Sequence, residues 1–512
     1  MISIFHALSN CIPQSYKIVK QKKILKFIVF QCMVLSSQCL FSQTIENNKN
    51  DTNMLIIRSG LQDQLTEIKS FSDLLSSEYV EITGTDEIFI GQKDFESGIN
   101  KSGTVSLQSL LTNGFIYNPV ISQAKSGYEI AEAQKQVSRA ELFPSLSAKH
   151  SFGPETSEGG SLGVGVTNNH NYQMSSFRLT QPIFNVPIMK DYMSTSKYQD
   201  ASEFKLRETE QSIALDIVRA TTELAASRLV LNFSDDLLNK LGSIFSYLET
   251  RAEAGATSQS DLERARTRLL SARQLRIEQQ TTYRNAILEL ARLTGVVPKK
   301  LKLPSIQKYP QLPDTLDLIQ KTVIEQDYGL RALKMEIESQ KDAVHREIAK
   351  LLPVVGLSLE HDESTNIRNT LPTQTDSRVL LVMAWTGSVG GKEIYASNQS
   401  KSELRRLESK YQEESQRTSR AVDSEFALMT SAKQRLQVAQ NEENAATKVV
   451  KAVTEQLKNG KMSGTLLEAL DACDRLFLAK QHQIQALSQQ MIAHAQLLRS
   501  IGILSELQAV NE

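Results

Sequence analysis

Gly460-Lys461-Met462-Ser463-Gly464-Thr465-Leu466-Leu467-Glu468-Ala469-Leu470-Asp471-Ala472 opens a stretch that runs to Leu498 and has an earlier twin. The twin opens Gly255-Ala256-Thr257-Ser258-Gln259-Ser260-Asp261-Leu262-Glu263 and runs to Leu293. Aligned on their glycines, the two share Gly255/Gly460, Ser258/Ser463, Leu262/Leu467 and Glu263/Glu468. A glycine just past one helical run and a serine before the next are helix-stop and helix-start chemistry, so each glycine reads as the bend of a helical hairpin. Beyond each bend apolar residues recur at alternating steps of three and four, as in Leu470, Cys473, Phe477, Ile484, Leu487, Met491 and Leu498. Lys480 and His494 interrupt that row, as Arg276 and Gln279 interrupt its twin. The spacing predicts coiled-coil seams and an internally duplicated chain.

The duplication extends outward. Asn118-Pro119 to Leu142-Phe143-Pro144 matches Asp327-Tyr328 to Leu351-Leu352-Pro353 at a constant offset, with Glu129 over Glu338 and Ala140 over Ala349. Each proline stops a helix and forces an extended exit. Strand-like segments follow: 145–152 and 172–184 in the first copy, 354–361 and 377–385 in the second, each pair joined by a polar loop. Val355, Leu357 and Leu359 alternate with Gly356, Ser358 and Glu360, the pattern of a barrel wall with one apolar and one polar face. Long polar helices are expected next, over 189–249 and 391–457, each about 90 Å for roughly 60 residues. The expected organisation is a signal segment over 1–42, an extension over 43–104 and a first repeat over 105–295. A proline-rich connector over 296–316, a second repeat over 317–504 and a tail over 505–512 complete it.

Composition narrows the class. Of 512 residues only 6% are aromatic and one is tryptophan, which suits long helices in shallow layers rather than a thick core. Zero formal net charge gives no support for a nucleic-acid partner. Lys17, Lys20, Lys22, Lys23 and Lys26, then an apolar run over 27–41, then Ser42, read as a secretory signal with cleavage near Ser42. Cys473 is then the one cysteine that remains, which leaves no intrachain disulfide. No later run is apolar and long enough for a spanning helix, so an exported chain of this kind crosses a membrane only as a closed β-barrel. Histidines lack a second ligand at metal spacing, Gly160, Gly163 and Gly165 sit in a hairpin loop, and no nucleophile motif occurs, so neither enzyme nor cofactor is expected.

Glu468 and Asp471, three apart just after the second bend, share a helical face; the first copy has Glu263 and Arg266 there. The bland alternative is a solvated face, with Asp471 and Arg475 as an ordinary i,i+4 pair.

Together the helix Asn118–Leu146, Leu179-Thr180-Gln181-Pro182-Ile183-Phe184, Arg251-Ala252-Glu253-Ala254-Gly255 and Leu466-Leu467-Glu468-Ala469-Leu470-Asp471-Ala472 resemble the TolC-type outer membrane factors of Gram-negative bacteria. The resemblance covers about 105–504, and it departs at Asn185-Val186-Pro187, where glycines are usual; Gly390-Gly391 keeps them. It implies a mostly helical fold with a barrel portion: a homotrimer forming a twelve-stranded barrel in outer membrane lipid and a periplasmic coiled-coil tunnel. It further implies an exit duct for efflux or type I secretion, working with a periplasmic adaptor and an inner-membrane pump. On this reading Glu468 and Asp471 form the pore constriction, with Arg266 and Arg475 as candidate partners that hold helices together. Gly255, Ala256, Thr257, Ser258, Gly460, Lys461, Met462 and Ser463 contact the adaptor, and Trp385 lies at the membrane interface. A periplasmic coiled-coil scaffold without a pore is the competing class.

Overall fold

The computed structural model describes residues 80–82, 104–158, 167–253, 255, 257–302, 310, 312–313, 315–367, 373–458 and 465–508. All of these belong to one of the chain's two compact units, 61–85 with 94–512. The signal-like segment, residues 61–75 and 88–91, whose sequence reads as a helix and a strand, Ala256, and the whole second bend Gly460–Ser463 lie outside the described residues.

The duplication is visible element by element. Helix α1 (Leu107–Tyr117) and helix α2 (Pro119–Ala140) precede the strands β3 (Ser145–Glu158) and β4 (Thr167–Phe184); two strands earlier in the chain, β1 (Val80–Glu81) and β2 (Thr104–Ser106), belong elsewhere. Helix α3 (Val186–Glu253) and helix α4 (Gln259–Thr294) complete the first copy. After β5 (Lys300–Lys302) the series recurs as α5 (Leu316–Gln326), α6 (Tyr328–Ala349), β6 (Val354–Thr365), β7 (Gln374–Ala384), α7 (Lys392–Lys458) and α8 (Thr465–Ile501). A 3₁₀ turn, Leu504–Gln508, follows.

Where the sequence reads one helix up to Pro144, the structure has two. Asn118 separates them: its side chain accepts from the Val120 N–H at 2.9 Å and Pro119 takes the first helical position, where a missing N–H costs nothing. Asp327 does the same in the second copy, accepting from Leu330 N–H at 2.8 Å. The 68-residue α3 is about 100 Å long.

Strands β3, β4, β6 and β7 form one antiparallel sheet in that order. Its register pairs Leu146 with Leu179, Leu179 with Leu359 and Leu359 with Val379, so one face carries a continuous apolar row. Leu146, Val379, Leu381 and Met383 on this face are 70–73% exposed. The opposite face is polar. Arg178, Glu360 and Arg378 pair across β4, β6 and β7, with Arg178 Nε 2.9 Å from Glu360 Oε1 and Arg378 Nη2 2.7 Å from Asp362 Oδ2. The Arg178–Glu360 pair ties the hairpin of one copy to that of the other, while Arg378–Asp362 lies within the second. Among the described residues β3 and β7 have a strand partner on one side only.

The connector is more ordered than its prolines suggest. β5 lies between β1, antiparallel, and β2, parallel, in a small sheet that buries Ile82, Val105 and Leu301. Ile319 and Val323 of α5, Val422 near the midpoint of α7, and Leu497 and Ile501 at the end of α8 form a further core. Gln211, buried in the middle of α3, donates to Gly502 O at 2.6 Å and accepts from Ser505 N–H at 3.1 Å, clasping the far end of the chain.

Glu208, one turn from Gln211, has its carboxyl pushed above the ordinary value by burial, with Asp327 adding to the effect and Arg499 opposing it. Because its folded value is the higher one, this carboxyl contributes stability below its unfolded value, and that contribution is lost as pH rises through the folded value. Glu208→Gln is therefore expected to raise the unfolding temperature relative to the parent near neutral pH. The gain should vanish near pH 4, where both are uncharged; a pH-independent difference in thermal melts would refute this.

Candidate functional site at the helical bends

At the first bend Gly255 adopts φ +67°, the left-handed conformation that favours glycine, and its N–H donates to Ala252 O at 3.0 Å. Ser258 restarts the chain as a helix, accepting from Ser260 N–H at 3.2 Å. Nothing lies within 4 Å of where a Gly255 side chain would begin, so the bend is open to an approaching surface.

Above the bend three helices share a seam. Phe233, Leu237 and Leu241 of α3, Leu262, Ala265 and Ala272 of α4, and Leu470, Cys473, Phe477 and Ile484 of α8 form a single core. The returning helix of the second copy is thereby docked on the hairpin of the first. The two polar interruptions of the α8 row are accommodated. Lys480 sets its ammonium 4.4 Å from the Phe233 ring centre, and burial pushes its value down. His494 Nε2 lies 3.3 Å from Pro310 O, and burial lowers its value too. Burial pushes the Cys473 thiol up, which suits a packing residue rather than a nucleophile.

Glu468 and Asp471 are both exposed, in the first turns of α8, where acids also suit the helix dipole. Asp471 Oδ2 accepts from Arg475 Nε at 2.7 Å, and both side chains are at least half exposed. Such a pair on one helix contributes about 0.3–0.5 kcal/mol. Arg266 lies 3.3 Å from Glu263 on its own helix and stacks over Phe245. Within the chain Arg475 pairs on its own helix, while Arg266 of α4 reaches the ring of Phe245 on α3. Ion pairs between helices are made by Arg268 Nη1 to Asp474 Oδ2 at 2.7 Å, joining α4 to α8, and by Arg276 to Asp235, joining α4 to α3. The sequence holds a usable signal for the first: Asp474 is one i+4 step beyond Leu470, a seam residue. Burial nonetheless pushes the Asp474 carboxyl up, with Arg268 opposing.

Trp385 follows β7 at 67% exposure, its Nε1 donating to Leu351 O at 3.0 Å. No described helix is long and apolar enough to cross a membrane. What can meet lipid is the sheet, by its apolar face, and its open edges require strands from another chain.

The family model described as outer membrane efflux protein matches residues 115–296 and again 320–503. The chain belongs to this family. It is similar to the outer-membrane channel OprN, with a TM-score of 0.68 at 18% identity over 77% of this chain and 89% of that one. The CmeC outer membrane channel of Campylobacter jejuni gives 0.65 at 14% identity, covering 87% and 95%. The open state of the MtrE outer membrane channel of Neisseria gonorrhoeae gives 0.65 at 15%, covering 77% and 88%. No curated protein matches by sequence. The chain is thus an outer membrane channel with periplasmic helices, and the pore-free scaffold is set aside.

Proposed function

We propose that three copies close one barrel and one helical tunnel, making a passive exit duct that an inner-membrane pump reaches through a periplasmic adaptor. The observation that carries this is the sheet: four strands with an apolar face, a polar face and two edges that are unpaired among the described residues. Four strands cannot close on themselves, whereas three such sheets make a twelve-stranded wall whose polar face lines water. Exposed apolar side chains on the helices fit the same assembly. Ile130 and Val137 on α2, Leu270 and Ile277 on α4, and Val438 on α7 are 54–67% exposed, and neighbouring copies would cover them.

In this duct Glu468 and Asp471 repeat around the axis as the constriction, the two bends meet the adaptor, and Trp385 marks the membrane interface. Arg266 and Arg475 are the candidate gate partners beside this ring, and Arg268 with Asp474 fastens α4 to α8. Export of small molecules follows the family's description as efflux protein; passage of a secreted protein is the second reading, supported by the resemblance alone. Purification in mild detergent should yield a heat-modifiable trimer by crosslinking and light scattering. A monodisperse monomer that inserts into bilayers would overturn the proposal.

A further inference from the structure

Helix α8 carries Glu468 and Asp471 at one end and is fastened firmly at the other. There Gln211 holds Gly502 and Ser505, and His494 Nε2 lies 3.3 Å from Pro310 O. From His494 to Asp471 is just over three heptads, and a straight helix drifts by about 20° in each against a fixed repeat. Those fastenings alone therefore leave the rotation of the far end open by about 60°. Glu468 and Asp471, three residues apart, are themselves separated by about 60° around the helix. A rotation of that size turns one acid to where the other stood.

A fastening nearer the bend comes from within the apolar seam. Cys473, Lys480, Leu487 and His494 follow one another at steps of seven. Lys480 sets its ammonium 4.4 Å from the centre of the Phe233 ring on α3. Asp236 of α3 draws it, although that acid is already bound to Lys240 at 2.8 Å, and Glu443 draws it from α7. The contact is loosely filled. A cavity of about 10 Å³, the space of one water, lies among Phe233, Asp236, Lys240, Cys473, Phe477 and Lys480. Apolar packing alone thus leaves room for a neighbouring seat. The ammonium does not, because turning α8 would set a cation against Leu237 or Leu241 with no ring to receive it. A single lysine in an apolar seam fixes the setting of a helix in this manner, at a cost in stability.

We propose that Lys480 is a positioning residue for the constriction. Its seat over Phe233 fixes the rotation of α8 near the bend, and so decides which of Glu468 and Asp471 points more nearly at the axis. The inference rests on the three-copy duct above. Lys480 lies about 14 Å along α8 from Asp471 and acts through the helix, not by contact.

Disulfides across the threefold axis read that rotation directly. The four native cysteines are replaced by alanine, and Glu468→Cys or Asp471→Cys is introduced singly. Trimers in mild detergent are oxidised with copper phenanthroline, and chain-to-chain disulfides are followed by non-reducing electrophoresis. Disulfide geometry is demanding, so with Lys480 present one position should couple at least about fivefold faster than the other. Lys480→Met and, separately, Phe233→Leu should bring the two rates within about twofold of each other. Lys480→Arg, which keeps a cation over the ring, should retain the parent's ratio. The melting temperature of the Lys480→Met trimer should equal or exceed the parent's, since an apolar residue suits an apolar seam. A ratio unchanged in Lys480→Met, or near one already in the parent, would overturn the proposal. So would loss of trimers in both variants, which would make the contact an element of folding. Absence of trimers in the parent would instead overturn the assembly on which the proposal stands.

Discussion

Neutralising the two acids, Glu468→Gln with Asp471→Asn, is expected to abolish cation preference in planar bilayers and to remove block by multivalent cations. Both side chains are exposed within one chain, so their charge is available to the lumen. In the proposed trimer each recurs three times around a narrow axis, and the summed potential of such a ring reaches several kT, enough for roughly tenfold selectivity. The permeability ratio for cations over anions should fall from that order to near unity. Arg475 offsets part of the charge at Asp471, so Glu468→Gln alone should have the larger single effect. Trimer yield should not change, because an exposed pair on one helix contributes only a few tenths of a kcal/mol. Selectivity that is the same in the double variant and the parent would return both acids to the status of ordinary surface charges.

Replacing the bend glycines, Gly255→Trp with Gly460→Trp, is expected to reduce export to the level of a strain lacking the channel, with trimers intact. The structural argument rests on Gly255. Its left-handed backbone makes any other residue cost on the order of 1–2 kcal/mol locally. That is small against a seam built from three helices, and nothing within 4 Å obstructs the new side chain. The indole would therefore project outward, over the surface an adaptor must approach. Drug susceptibility of the host reports export, and crosslinking reports assembly. Full export would remove the bends from the adaptor contact, whereas lost trimers would show that they serve folding.

How far the sequence revealed these features depends on how many residues carry each one. The hairpins were legible because each long helix repeats its apolar spacing over many turns, and because Pro144 and Pro353 mark both exits. The sheet was legible in β6, where Val355, Leu357 and Leu359 alternate cleanly. It was obscure in β7, where Leu380 and Val382 put apolar residues on the polar face as well. Strand β1 falls in the strand-like patch Tyr79–Thr83 of the sequence, whereas β2 and β5 are three residues long, too short to show a period, and pair only across large sequence separations. The ion pair between α4 and α8 is made by Arg268, and helical phase decides which arginine reaches the acid. A straight helix drifts by about 20° per heptad against a fixed repeat, and Asp474 is carried by that phase against α4.

The clasp at Gln211 bears on when this protein can finish folding. The partners it holds, Gly502 and Ser505, lie 291 and 294 positions later in the chain. This fastening of the first long helix therefore waits until residues 502–505 have been made and delivered. Long-range closure of this kind is slow, since the entropy of a large loop must be spent before the contact forms. A chain that crosses a membrane as an extended polymer cannot close this contact before both of its partners have arrived, so the clasp couples the fold of the first copy to delivery of the second.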